Sequence, residues 1–263
     1  MLSKEHLLYR KKVRNKGILI NLLRLSVLVF IIGFWELCAY LQWVNPFITS
    51  SPSRIVKTIT SLYQDGTLFF HIGTTLWETL LGFALACVLG YSIALLLWWS
   101  EIFRRVSEPY LVVLNALPKI ALGPLIIIWC GTGKEAIVFM TVLIGLIVAI
   151  LNMLNGFMAT DENKLLLLRS MGAKKRQILT KLVIPSSLPS FISMLKINVG
   201  MAWIGSIMGE YIVSKAGIGY LIVYGGQVFK LDLVMSAVFI LCVLAALMYA
   251  VVAFVEKIVI KNR

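Results

Sequence analysis

The sequence predicts an all-α integral membrane protein with six transmembrane helices. Three observations carry that prediction. The first is composition: of 263 residues, 60% are hydrophobic and 14% charged, with a mean hydropathy of +0.91. A soluble domain is roughly 45–50% apolar and about 25% charged. The second is a series of apolar runs, each near the ~20 residues that cross a ~30 Å hydrocarbon layer. The third is where the charge sits. With the N-terminus inside, seventeen Lys and Arg fall on cytoplasmic segments and five on outer ones (Arg54, Lys57, Lys134, Lys215, Lys230). The opposite orientation reverses the positive-inside bias. The net charge of +13 therefore belongs to loops and tails in contact with the lipid bilayer. No soluble domain exists to carry a nucleic-acid face.

Residues 1–17 form a basic cytoplasmic tail with Lys4, Arg10, Lys11, Lys12, Arg14 and Lys16. Ile18–Leu41 is the first span. It is too long for a signal-peptide core, and no small-x-small cleavage site follows it. Arg24 can snorkel from its inner end, and Glu36 lies near its outer end. Gln42–Gly73 is extracytoplasmic, with turn signals at Asn45-Pro46 and Ser51-Pro52-Ser53. Ile55, Ile59, Leu62 and Tyr63 then suggest an amphipathic helix against the membrane. Thr74–Trp99 contains the second span. Gly82, Ala84, Ala86, Gly90 and Ala94 along it favour close helix approach in the middle of a bundle.

Ser100–Glu108 reads as a short cytoplasmic loop, and Tyr110–Trp129 as the third span. Inside that span, Pro118 removes a backbone donor and Lys119 is costly in hydrocarbon. Both should face protein or a water-filled cavity. Ala136–Met153 is the fourth span, Phe191–Val213 the fifth and Leu233–Val255 the sixth. Residues 256–263 form a second cytoplasmic tail, so the six-span domain covers 18–255. Cys38, Cys87, Cys130 and Cys242 sit in or at the ends of apolar runs, with no metal or disulfide pattern; they read as small buried hydrophobes.

The cytoplasmic loop 158–190 is too patterned to be a passive connection. Leu165–Leu168, Met171, Ile178, Leu179 and Leu182 supply an apolar face broken by Gly172. Arg169, Lys174, Lys175, Arg176 and Lys181 supply the polar side. The pattern predicts a short helix, a glycine break and a second amphipathic helix stopped by Pro185 and Pro189. Such a segment can lie on lipid headgroups or fill a groove in a soluble partner.

This loop resembles the motif of the permease subunits of binding-protein-dependent ABC importers. That motif is Glu-Ala-Ala, three residues, Gly, nine residues, Ile, one residue, Leu-Pro. Gly172 falls on the glycine, Leu182 on the Ile, Ile184 on the Leu and Pro185 on the proline. The Glu-Ala-Ala positions hold Leu166-Leu167-Leu168, which removes one polar contact to the ATPase. The likeness extends along the chain. Ser51-Pro52-Ser53, Thr75-Leu76 with Gly82-Phe83, and Leu117-Pro118 with Gly123-Pro124-Leu125 and Trp129-Cys130-Gly131 are similar to family features. So are Met208-Gly209-Glu210 and Gly217-Ile218-Gly219-Tyr220-Leu221. Glu78 stands where the family commonly has Arg. The later features resemble the nitrate/sulfonate/taurine branch, which also includes importers of pyrimidine-type vitamin precursors.

The resemblance implies the type I ABC importer permease fold in a bacterial plasma membrane with both termini cytoplasmic. It implies three partners: a separate ABC ATPase, an extracytoplasmic substrate-binding protein and a second permease copy, expected as a homodimer. It assigns ATPase coupling to Leu165, Leu166, Leu168, Arg169, Gly172, Ala173, Lys174, Leu182 and Pro185. Substrates would be small organic anions such as sulfonates, taurine or nitrate, or a pyrimidine-type precursor.

The residues themselves show no catalytic constellation and no Walker motif, so neither an enzyme nor a cofactor is expected. Pro118, Lys119, Asn198 and Glu210 are candidates for a translocation path, because polar groups at membrane depth are functional candidates. Lys196 is a further intramembrane cation. Helix pairing explains the same residues as well. The alternative function is a gradient-driven secondary transporter, which would show internal repeats; none is visible.

Overall fold

The computed structural model describes residues 4–261. Helix α1 (Lys4–Tyr40) is followed by two short helices, α2 (Pro46–Thr49) and α3 (Pro52–Gln64). Then come α4 (Leu68–Trp99), α5 (Glu101–Ala116), a 3₁₀ turn at Lys119–Leu122, α6 (Gly123–Cys130) and α7 (Lys134–Met158). The loop region contains α8 (Glu162–Ser170), α9 (Lys175–Ile178), a π-helical turn at Leu179–Val183 and α10 (Ile184–Ser186). The remaining helices are α11 (Leu188–Val213), α12 (Ile218–Gln227) and α13 (Leu231–Lys261). No strand occurs among the described residues.

Five of these helices are long and apolar enough to span a membrane, or six if α5 and the bent segment Lys119–Cys130 after it count as one broken span. The third span is therefore not the single helix that hydropathy suggests. Its two parts are bent by 85° at Leu117-Pro118. Pro118 has no N–H to continue the helix and disfavours helical backbone at Leu117; Leu117 is extended, with ψ 132°. Ser100–Glu108, expected as a loop, is instead helical from Glu101, because the Ser100 hydroxyl accepts from Phe103 N–H at 3.3 Å and caps the start.

The core forms around α7, which packs between α4 and α11. Small residues set this close approach. A side chain at Gly90 would collide with Ala149 of α7, and one at Gly82 with Thr141. Gly205 of α11 meets the Thr141 backbone from the other side. The expectation that the glycine- and alanine-rich second span lies inside the bundle is met: Ala86, Ala94 and Leu97 are buried.

Beside the end of α1, α3 is the amphipathic helix the sequence predicts, with Ile55 buried. The Glu36 carboxylate accepts from Ser53 N–H (3.0 Å) and Oγ–H (2.8 Å), so the end of α1 holds the start of α3. Arg54 donates to the Pro46 carbonyl at 2.7 Å and pairs with Asp232 of α13 at 3.6 Å. Apart from this end, α1 presents exposed apolar side chains from Ile18 to Leu37.

Candidate functional site

The loop region is a series of short helices whose ends are capped. Asp161 caps α8 by accepting from Asn163 N–H (2.9 Å) and Lys164 N–H (3.4 Å). At the other end Gly172 is left-handed, φ +75°. Its N–H donates to the Arg169 carbonyl (3.0 Å), and Ala173 N–H donates to the Leu168 carbonyl (3.0 Å). This pair of bonds is a Schellman motif, which needs a residue at positive φ. Open space surrounds the position where a Gly172 side chain would begin. The glycine is thus required by its backbone angle, and crowding plays no part.

The loop's leucines divide into two faces. Leu165, Leu168 and Ala173 are half-buried against the core that contains Phe157, Ile178 and Leu179. Leu166, Leu167 and Met171 are 61, 60 and 73% exposed and form an apolar strip on the opposite side. Arg169 is exposed. Lys174 N–H donates to the Gln177 side chain at 2.7 Å and starts α9. Leu182 is half-buried in the π-helical turn.

Sequence reasoning missed the clamp at Lys175. Its ammonium donates to the Trp99 carbonyl at 2.6 Å and lies 5.7 and 5.6 Å from the Trp98 and Trp99 ring centres. It fixes the loop to the end of α4. Pro185 and Pro189 do not stop the helical path as expected. The π turn widens the helix just before Pro185, and both prolines sit in first turns, where no N–H is needed. The loop helices therefore run almost without interruption into α11.

The four candidate path residues are not brought to one place. Pro118 and Lys119 lie at the bend of the third span, with Pro118 exposed and Lys119 donating to the Asn115 carbonyl at 3.2 Å. Asn198 and Glu210 are buried in α11. Asn198 packs on Gly145 of α7 and donates to the Met194 carbonyl at 3.2 Å. Glu210 accepts from Gly219 N–H at 2.5 Å and fills the space beside Gly217, whose φ is +106°.

Three residues of α4 complete this joint. The His71 ring accepts from Gly217 N–H at 3.0 Å, and Thr75 Oγ accepts from Ile218 N–H at 2.8 Å. Glu78 is fully buried against Glu210. The sequence signal for Glu78 was a lone carboxylate inside an apolar run. Lys196 is used in helix pairing: it bonds Glu256 of α13 at 2.5 Å.

The fold of this helical bundle is one that known proteins share. Residues 67–262 match the model of the binding-protein-dependent transport system inner membrane component. The chain belongs to this family. It is similar to the formylaminopyrimidine transport permease protein ThiX of Halalkalibacterium halodurans, with 34% identity over 87% of this chain and 91% of that protein. It is 28% identical to the putative aliphatic sulfonates transport permease SsuC of Bacillus subtilis, covering 89% of this chain and 84% of that protein. Among solved structures, an inward-facing MetNI methionine ABC transporter matches with a TM-score of 0.64 at 19% identity, over 73% of this chain and 96% of that one. A bacterial alginate importer matches with a TM-score of 0.64 at 14% identity, over 95% of this chain and 98% of that one. The type I importer permease fold follows, and this ABC permease is a multi-pass transport component of a non-enzymatic kind.

Proposed function

We propose that this permease moves a small organic solute inward by receiving the stroke of a separate ATPase through α8. The two faces of α8 support this reading most directly. Leu166, Leu167 and Met171 offer an apolar strip to a partner groove, while Leu165, Leu168 and Ala173 seat the same helix on the core. A push on the strip reaches the core through the seat of Leu165, Leu168 and Ala173. Arg169, Gly172, Lys174, Leu182 and Pro185 shape the lever and its junction with α11.

The remaining assignments follow from this orientation. Both termini and residues 158–190 face the cytoplasm, in agreement with the distribution of Lys and Arg. A second copy of the chain completes the pathway as a homodimer, and a binding protein delivers substrate to the outer face formed by α2, α3 and α12. The exposed bend at Pro118 and Lys119 lines the path. Asn198 and Glu210 hold helices around it from within the protomer. The relatives' names favour a pyrimidine-type precursor or a sulfonate as the solute.

Reconstitution in liposomes with the ATPase and binding protein tests the reading. Uptake should require ATP and should fail when Leu167 or Met171 is replaced by Asp. Uptake driven by a proton gradient without ATP would overturn it.

A further inference from the structure

Behind the lever, between it and the ends of α4, α5 and α7, lies a cleft of about 460 Å3. Trp98, Phe157, Leu165 and Ile178 give it an apolar wall. Arg104, Arg169 and Lys175 give it a cationic mouth, opposed by Glu101 alone. Glu101 is itself engaged by Arg105 at 2.6 Å.

The three cations are not equally committed. Arg104 shares Glu108 at 3.3 Å, and Lys175 is pinned by the Trp99 carbonyl between two indole rings. Arg169 forms no ion pair or side-chain hydrogen bond among the described residues, so its guanidinium keeps its donors free.

We propose that this cleft binds the headgroup of an anionic phospholipid, with the phosphodiester at Arg104, Arg169 and Lys175 and the upper acyl chain on Trp98 and Leu165. Charge complementarity selects the anion, since a phosphodiester accepts the planar donors of arginine well. The apolar wall selects a lipid over a free phosphate, which would leave that wall wet. Trp98 and Trp99 place the cleft at headgroup level, where amphipathic rings gather. The proposal rests on residues 158–190 being a membrane-surface segment. A lipid held there would brace the inner face of the lever while its apolar strip stays free for the ATPase.

The test uses the full-length permease purified in detergent. Equal amounts of phosphatidylglycerol and phosphatidylcholine are added, and bound lipid is counted by native mass spectrometry. Phosphatidylglycerol should be retained in preference. Arg104→Gln and Arg169→Gln should each lower that preference about fivefold. Arg104→Lys, which keeps the charge but loses the planar donors, should lower it less than Arg104→Gln, and Lys57→Gln on helix α3 should preserve it. Equal retention of the two lipids, or unchanged preference in both Gln variants, overturns the proposal. So does displacement of the lipid by inorganic phosphate, which would mark a free-anion site, or by the ATPase subunit, which would mark part of the docking surface. Co-purification of the ATPase from the same preparations reports on coupling separately.

Discussion

The carboxyl groups of Glu78 and Glu210 meet inside the protein, both buried, at the joint of α4, α11 and α12. Among the described residues neither forms an ion pair with a basic side chain. Glu210 is supported by Gly219 N–H, while both oxygens of Glu78 lack a hydrogen-bond donor. A buried carboxyl group left without a hydrogen-bond partner is unfavourable. Glu78→Gln should therefore keep or raise the unfolding midpoint, because the amide carries no charge and can donate to Glu210. Glu78→Arg, which sets a cation beside Glu210, should also raise the unfolding midpoint. Thermal unfolding in detergent measures both, and a lower midpoint in both variants would contradict this account.

Gly172 gives a ranking. Its left-handed backbone costs an ordinary residue about 1–2 kcal/mol, and a β-branched residue more. Space is not limiting there. ATP-driven uptake should fall in the order Gly, Asn, Ala, Val. If Asn and Val are equally damaging, the backbone explanation fails.

The strip and the seat of α8 should respond differently to substitution. Met171→Asp removes exposed apolar area, so it should weaken ATPase co-purification at least about tenfold, given the ~1.5–3 kcal/mol that burying such a side chain contributes. Its unfolding midpoint should stay near that of the native protein. Leu168→Ala acts on the seat and should instead lower the midpoint.

Lys196 and Glu256 tie α11 to α13 at 2.5 Å, with side chains only 24 and 32% exposed. A double-mutant cycle with Lys196→Met and Glu256→Gln should show a favourable coupling between the two side chains. A coupling near zero would mean that the contact is fully screened.

Much of this molecule could be read from hydropathy and charge. Six crossings, the outer amphipathic helix and the interior position of the second span all follow from which residues can leave water. What could not be read was direction within an apolar run. Leu165–Leu168 are four consecutive leucines with no face of their own; packing on Ile178 decides that Leu165 and Leu168 turn inward. The bend at Pro118 is hidden because hydropathy continues across it. Glu78 gave no sign of its partner, since Glu210 lies 132 residues further along the chain. The path residues were grouped by polarity, and polarity does not distinguish a lining residue from a helix fastener.

The π-helical turn at Leu179–Val183 also sets the phase of everything that follows it. One residue changes the angular position of a helix by about 100°. Deleting a single residue there would keep the chain helical but swing the row Asn198, Ala202, Gly205 and Gly209 away from α7 and out toward lipid. The length of that turn, more than the identity of its side chains, aims the fifth crossing.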